Sequence, residues 1–208
     1  MKLYSTIKSE SISEQVIERS KFICHIAPAY SKEEADNYIA QIRGKYKDAT
    51  HNVPCFVIGN KMEMKWMSDD SEPQGTAGAP SLEVITRMGL TNIVCVVTRY
   101  FGGIKLGTGG LVRAYQSSVK LALDNAEICD ATEMHVMKYA VDYNTYQKIE
   151  KLKVKPFEIL EKEFFEDVYI IVMTEIERIT ECCDIISNLS NGRAKLLEEE
   201  DKIVNVIK

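Results

Sequence analysis

Residues 68–80, S-D-D-S-E-P-Q-G-T-A-G-A-P, and residues 98–115, T-R-Y-F-G-G-I-K-L-G-T-G-G-L-V-R-A-Y, decide how this chain is read. Each is a glycine-rich turn that runs into an apolar-periodic pattern, Ser81 to Met88 after the first and Leu111 to Asn125 after the second. Seven of the eleven glycines fall in these turns: Gly75, Gly78, Gly102, Gly103, Gly107, Gly109 and Gly110. Glycine at this density before a helix marks backbone at positive φ, or backbone that something else approaches closely. Free amides at a helix start, with the positive end of the helix dipole, favour an anion. Neither turn is a nucleotide fingerprint. No glycine is followed by Lys and then Ser or Thr, and Gly107-Thr108-Gly109-Gly110-Leu111 continues with Val112 where a dinucleotide motif needs glycine. The residues leave two readings open, an anion-contacting surface or two tight strand-to-helix turns.

Working outward, Asn92–Thr98 is a near-continuous apolar run, as expected of a central strand covered on both faces. Its end delivers Arg99 and Tyr100 to the second turn. Asn52 to Ile58 and Glu63 to Met67 read as a hairpin that delivers the acidic turn Asp69-Asp70-Ser71-Glu72. Leu3–Ile7 and Ile12–Ala29 read as strands, with a polar turn at Glu18–Lys21. Ser31-Lys32-Glu33-Glu34 is a capping box opening a helix with Ala35, Tyr38, Ile39 and Ile42 on one face. Beyond a boundary near Cys129–Glu133, strand, helix, strand, strand, helix and strand follow in βαββαβ order, the ferredoxin-like arrangement. Their expected spans are 134–143, 145–152, 157–165, 168–175, 178–189 and 194–197, the last extending toward 206.

Composition is that of an ordinary globular protein: 208 residues, 45% apolar and 27% charged. No apolar run approaches membrane-spanning length and no signal-peptide core follows Met1, so a cytoplasmic, non-membrane protein is expected. The net charge of −5 weighs against binding nucleic acid over the whole surface. It is unevenly spread. Residues 1–130 carry 15 Lys and Arg against 15 Asp and Glu, and residues 131–208 carry 11 against 16. A polyanion would meet the first part, near Arg99, Lys105 and Arg113, more readily. The six cysteines, Cys24, Cys55, Cys95, Cys129, Cys182 and Cys183, show no C-x-x-C pair, and no disulfide, metal or cofactor is expected.

Asp69, Asp70 and Glu72 are hard oxygen donors suited to a divalent cation beside a phosphate. They equally suit a solvated turn, with Asp70 or Glu72 paired to Arg99. Arg99 beside Tyr100 and Phe101, flanked by Gly102-Gly103, has the chemistry to clamp a phosphate and stack a base. It also suits a structural ion pair with the aromatics in the core. His51 and Cys55 share a strand face without a recognisable nucleophilic arrangement, and His25 and His135 sit in apolar strands.

The two turns resemble the signature of the YigZ/IMPACT family, S-D-D-G-E-P-x-G-T-A-G-x-P followed by V-V-x-R-Y-[FY]-G-G-x-x-L-G-x-G-G-L-x-[RK]-A-Y. The match covers Ser68–Tyr115 nearly without gaps and extends through Ser20-Lys21-Phe22-Ile23 and Ala49-Thr50-His51-Asn52. Ser71 departs from it, standing where the bacterial pattern has Gly. The resemblance implies two α+β domains, residues 1–131 similar to domain IV of elongation factor G and residues 132–208 a ferredoxin-like βαββαβ domain similar to its domain V. It also implies a place in translational control, as for the eukaryotic relatives, with a ribosome, an RNA or a translation-regulating protein as partner. The binding residues expected are Gly75, Thr76, Gly78, Arg99, Tyr100, Gly102, Gly103, Lys105, Gly107, Gly109, Gly110 and Arg113, with Asp69, Asp70 and Glu72 as an acidic neighbour. The alternative is an enzyme acting on a phosphorylated small molecule or nucleotide in the same cleft.

Overall fold

The computed structural model describes residues 2–207. In chain order the elements are β1 (Lys2–Ile7), β2 (Ser11–Ile17), β3 (Ser20–Pro28), α1 (Lys32–Lys45), β4 (His51–Ile58), β5 (Met64–Met67), α2 (Gly78–Arg87), β6 (Ile93–Tyr100) and α3 (Gly107–Asp124). There follow β7 (Ile128–Val141), α4 (Tyr143–Glu150), β8 (Phe157–Phe164), β9 (Val168–Glu175), α5 (Ile179–Ser190) and β10 (Lys195–Ile207). The chain divides into two compact units, one of Tyr4–Asp130 with Asn205–Lys208, the other of Met1–Leu3 with Ala131–Val204.

The first unit is built on a sheet of order β2-β3-β6-β4-β5, antiparallel throughout. Alternation along β6 divides its side chains between two cores. Ile93, Cys95 and Val97 join Phe22, Cys24, Val53 and Cys55 beneath α2 and α3, where Ile85, Leu111, Tyr115 and Val119 cover them. Val94 and Val96 face the other way, against Ala35, Ile39 and Ile42 of α1. The apolar run 92–98 therefore is a central strand with helices on both faces. Ser31 accepts from the Glu34 amide at 3.1 Å, while the Glu34 carboxylate reaches back to the Tyr30 amide at 2.7 Å. That is the capping box, shifted by one residue in its return arm. Cys24 and Cys95 bring their sulfurs within 3.6 Å inside the core, and all six cysteines are free thiols. The hydrogen bond with Cys95, then burial, push the Cys55 thiol well up, and the bond with Cys24, then burial, do the same for Cys95 against an opposing pull from Cys55, so neither is nucleophilic at neutral pH.

Three elements begin at least three residues earlier than the sequence pattern predicts, the first being α2, which starts at Gly78 rather than Ser81. Helix α3 starts at Gly107 rather than Leu111, so Gly107, Gly109 and Gly110 form its first turn. Strand β7 starts at Ile128 rather than Met134, because Cys129 and Ala131 are buried strand residues too small to register in the apolar pattern.

In the second unit β7, β9 and β8 pair antiparallel in that order, and β10 and β1 also pair with β7. Met137, Tyr139, Val141, Ile170 and Val172 meet Tyr146 and Ile149 of α4 and Cys182 and Ile186 of α5 in one core. Helix α5 stops at Asn191 (φ 54°) and Gly192 (φ 73°), whose amide returns to the Ser187 carbonyl at 2.8 Å. Two left-handed residues close it as a C-cap. Strand β10 exposes almost every side chain, and His135 on β7 ties it down, with Nδ1 2.6 Å from Asp201 Oδ1 and Nε2 3.2 Å from Glu199 Oε2.

Partial burial pulls the His135 pKa down, but its hydrogen bonds to Asp201 and Glu199 together outweigh that and raise it above the usual histidine value. A raised folded-state pKa stabilises the fold fully below the unfolded value of about 6.5 and ceases to do so as pH rises through the folded value. Urea unfolding followed from pH 5.5 to 8.5 is expected to show that loss, and His135→Gln to remove the part of the slope it causes. The effect is held under about 1 kcal/mol because both carboxylates are more than half exposed.

Candidate functional site

Arg99 is the last but one residue of β6, and the register sets it between Phe22 of β3 and His51 of β4. It shares a side of the sheet with Val97 and Phe22, so its side chain is carried under the α2/α3 layer and is 6% exposed. Its Nη1 donates to Glu72 Oε1 at 2.6 Å, and Tyr115 of α3 donates its hydroxyl to the same oxygen at 2.8 Å. Glu72 Oε2 lies 3.8 Å from His51 Nε2. The Arg99 guanidinium also packs over the rings of Phe22 and Phe101, each centroid 5.5 Å away, which is cation–π distance. Ser20 Oγ, 3.5 Å from Arg99 Nη2, accepts from the Gly102 amide at 3.2 Å. Arg99 Nε is buried without a hydrogen-bond partner. Burial and the Glu72 carboxylate drive the Tyr115 pKa far upward, which keeps the phenol a donor at any ordinary pH.

The acidic turn is shaped by backbone. Asp70 (φ 47°) and Ser71 (φ 70°) are both left-handed, and the turn they make points Glu72 inward while Asp69 and Asp70 face elsewhere. Asp69 accepts from the amides of Gly75 (2.8 Å), Ala77 (3.2 Å) and Gly78 (2.8 Å), so this carboxylate is the anion seated at the first glycine turn and the start of α2. Asp70 accepts from the Asn52 amide at 2.7 Å and from Arg43 at 2.9 Å, and its carbonyl oxygen lies 2.8 Å from His51 Nδ1. All three acids are thus engaged by protein groups. Among the described residues no cluster of His, Cys, Asp and Glu is placed to hold a metal ion.

Glycine is required at two of these positions by close approach. A Cβ on Gly78 would stand 2.7 Å from the Ser68 carbonyl oxygen, and one on Gly102 only 1.9 Å from that of Arg19. The second contact fixes the glycine turn against the β2–β3 hairpin.

Glu72, Arg99, Lys105 and Gly107 line one open cleft of about 440 Å³, together with His51, Pro73, Phe101, Leu106, Thr108 and Leu111. Both glycine turns contribute to its wall. Other expected residues lie elsewhere. The Gly75 and Gly78 amides are taken by Asp69, Thr76 donates its hydroxyl to the Pro73 carbonyl, and Tyr100 donates to Asp48 at 3.1 Å. Gly103 is an exposed turn residue at φ 87°. Gly109 and Gly110 lie in the first turn of α3, and Arg113 lines a separate groove with Glu83, Arg87 and Lys120. Phe101 is 44% exposed rather than part of the core. Arg99 is not a free clamp: its charge is already matched inside the fold. Tyr115 and Ser20 belong to the network and were not singled out by their sequence context. The one available signal was a tyrosine on the apolar face of a helix, whose buried hydroxyl needs an acceptor.

Removing one partner of a buried ion pair strands the other, at a cost of about 3–5 kcal/mol. Arg99→Ala is therefore expected to lower stability by that amount in urea unfolding. Ser71→Gly should do the opposite. The left-handed backbone costs a non-glycine residue about 1–2 kcal/mol, and the added freedom of glycine when unfolded returns about half of it, leaving a gain of about 0.5–1 kcal/mol. A melting temperature unchanged or lowered in Ser71→Gly would refute the strain at that turn.

The comparisons with known proteins agree with the motif. The family model of the Impact N-terminal domain matches residues 18–123. The IMPACT family member YvyE of Bacillus subtilis is 38% identical over 210 residues, covering 99% of this chain and 97% of that protein. The IMPACT family member YigZ of Escherichia coli is 31% identical over 188 residues, covering 89% and 92%. A crystal structure of a hypothetical protein superposes with a TM-score of 0.62 at 29% identity, covering 95% of this chain and 97% of that one. Domain match, near full-length relatives and the two glycine turns agree: the chain belongs to the IMPACT family.

Proposed function

We propose that this chain is a translation-associated regulatory protein that binds its partner through the cleft face of the first unit. Family membership supplies the link to translational control, and the partner class is a ribosome, an RNA or a translation-regulating protein. The observation that carries a binding role is the character of the cleft. It is open, Phe101 (44%) and Ile104 (37%) stand exposed on the second glycine turn beside Lys105, and the nearby carboxylates are committed to internal bonds. Exposed aromatic and aliphatic groups ringed by a cation suit a macromolecular contact.

The same reading assigns residues 1–131 to a domain like domain IV of elongation factor G. It assigns residues 132–208 to a ferredoxin-like domain like domain V, supported by the β7-α4-β8-β9-α5-β10 order. The competing reading is an enzyme acting on a phosphorylated small molecule. The cleft volume favours it, falling within the range of small-ligand sites.

Ribosome co-sedimentation of the wild type beside Lys105→Glu and Arg113→Glu tests the binding role. Both residues are exposed, and only Lys105 lines the cleft. Wild type and Arg113→Glu should pellet alike, with Lys105→Glu reduced about tenfold, as expected for roughly 1.4 kcal/mol lost. No pelleting of the wild type at low salt, or equal pelleting of all three proteins, would overturn it.

A further inference from the structure

We propose that the helix-free face of the second unit's sheet is a docking surface for a cationic segment of a partner protein, one with apolar side chains set between its lysines and arginines. This rests on the second unit alone and not on the cleft. The starting point is β9. Its residues Val168–Met173, V-Y-I-I-V-M, are apolar at every position, the pattern of a strand covered on both faces. Strand β6 has the same pattern and helices on both sides. In the second unit α4 and α5 both pack on the face of Ile170 and Val172. Among the described residues of that unit no helix packs on the other face, where Tyr169, Ile171 and Met173 stand only partly buried.

Strand pairing sets charge beside this apolar row. On β8, Glu163 lies opposite Tyr169, Glu161 opposite Ile171 and Glu158 opposite Met173. On β7, Ala140, Lys138 and Val136 hold the same three positions. Glu198 and Glu200 of β10, which also pairs with β7, line an open groove of about 410 Å³ with Val136, Lys138 and Ile171. Lys202 of that groove is already paired to Glu200 at 2.6 Å. At the Met173 end Lys155 and Arg178 stand with Glu158 and Glu175, so that end is balanced. The negative charge lies along the middle and toward Tyr169, where the β8–β9 turn adds Glu166 and Asp167. There Phe165, 64% exposed, sets its ring 5.8 Å from that of Tyr169.

An apolar row between carboxylates selects its occupant by charge. Arginine and lysine side chains meet Glu161 and Glu163 on one side and Glu198 on the other, and the exposed ring of Phe165 offers a cation–π seat. Apolar side chains between them cover Tyr169 and Ile171, which supplies the dry centre that a protein interface needs. The same carboxylates repel a nucleic-acid backbone, an anionic membrane surface and a second copy of this face. Residues 131–208 carry 11 basic against 16 acidic side chains, while residues 1–130 are balanced at 15 each. That difference steers a cationic partner to the second unit.

The test is a titration of the full chain, isotope-labelled on its amides, at low salt with a capped synthetic peptide of alternating arginine and leucine. The Lys138, Tyr169 and Ile171 amide signals are expected to shift and saturate. Glu161→Lys combined with Glu163→Lys should weaken binding about tenfold. The same charge change on exposed helix residues, Glu33→Lys combined with Asp184→Lys, should leave it within about twofold. Phe165→Ala should weaken it about threefold and leave the melting temperature unchanged, since that ring is mostly exposed. A peptide with serine in place of leucine should bind about tenfold more weakly, and equal binding overturns the apolar row. Equal loss in the two charge-reversed pairs, shifts confined to other parts of the chain, or shifts that never saturate overturn the surface. Saturable shifts of the same amides with oligothymidylate, or with rising protein concentration alone, would assign the face to a nucleic acid or to a second copy and overturn the cationic partner.

Discussion

Arg99 leaves the end of the central strand sideways and meets Glu72 at 2.6 Å, and three separate stretches of chain come together at that bond. The strand brings the guanidinium, the acidic turn after β5 brings the carboxylate, and α3 brings Tyr115 to the same oxygen. A pair at 6% and 3% exposure gains little net stability from its attraction, since desolvation consumes most of it. Its value is one of position. The carboxylate, the guanidinium and the Tyr115 hydroxyl are all matched with the two glycine turns placed as they are here, and moving either turn would leave a buried charge without its partner.

The two turns use the same backbone chemistry to different ends. In the first, Asp69 folds back on the amides of Gly75, Ala77 and Gly78 and makes the start of α2 self-sufficient. In the second, the start of α3 is shaped by glycine alone and edged by the exposed side chains of Phe101, Ile104 and Lys105. One turn is closed within the fold and the other faces the cleft, although in sequence both read as glycine before a helix.

Much of this was legible in the residues, and the failures have physical causes. The near-continuous apolar run 92–98 marked a strand with two covered faces, and the serine at 31 with the glutamate at 34 marked the start of α1. The start of α3 was misplaced because glycine is a poor helix former and reads as loop, whereas burial of Leu111 and Tyr115 against the sheet pulls the preceding turn into the helix. Whether Arg99 would meet Asp70 or Glu72 could not be read, since the left-handed backbone of Asp70 and Ser71 decides which carboxylate points inward. Arg113 follows Leu111 by two positions, about 200° round the helix, and so is turned away from the sheet face that Leu111 marks. That phase was readable and outweighs proximity in sequence.

Gly102 passes so close to the Arg19 carbonyl that no side chain fits between them, and Arg19 belongs to a two-residue hairpin turn with Glu18, both at positive φ. The length of that hairpin and the position of the cleft wall are therefore a single geometric quantity. One residue inserted between β2 and β3 would displace the carbonyl on which the second glycine turn rests and carry Phe101 with it. The β2–β3 turn, exposed and polar and far from the cleft in sequence, is thus a place where the chain cannot vary in length while keeping its binding surface.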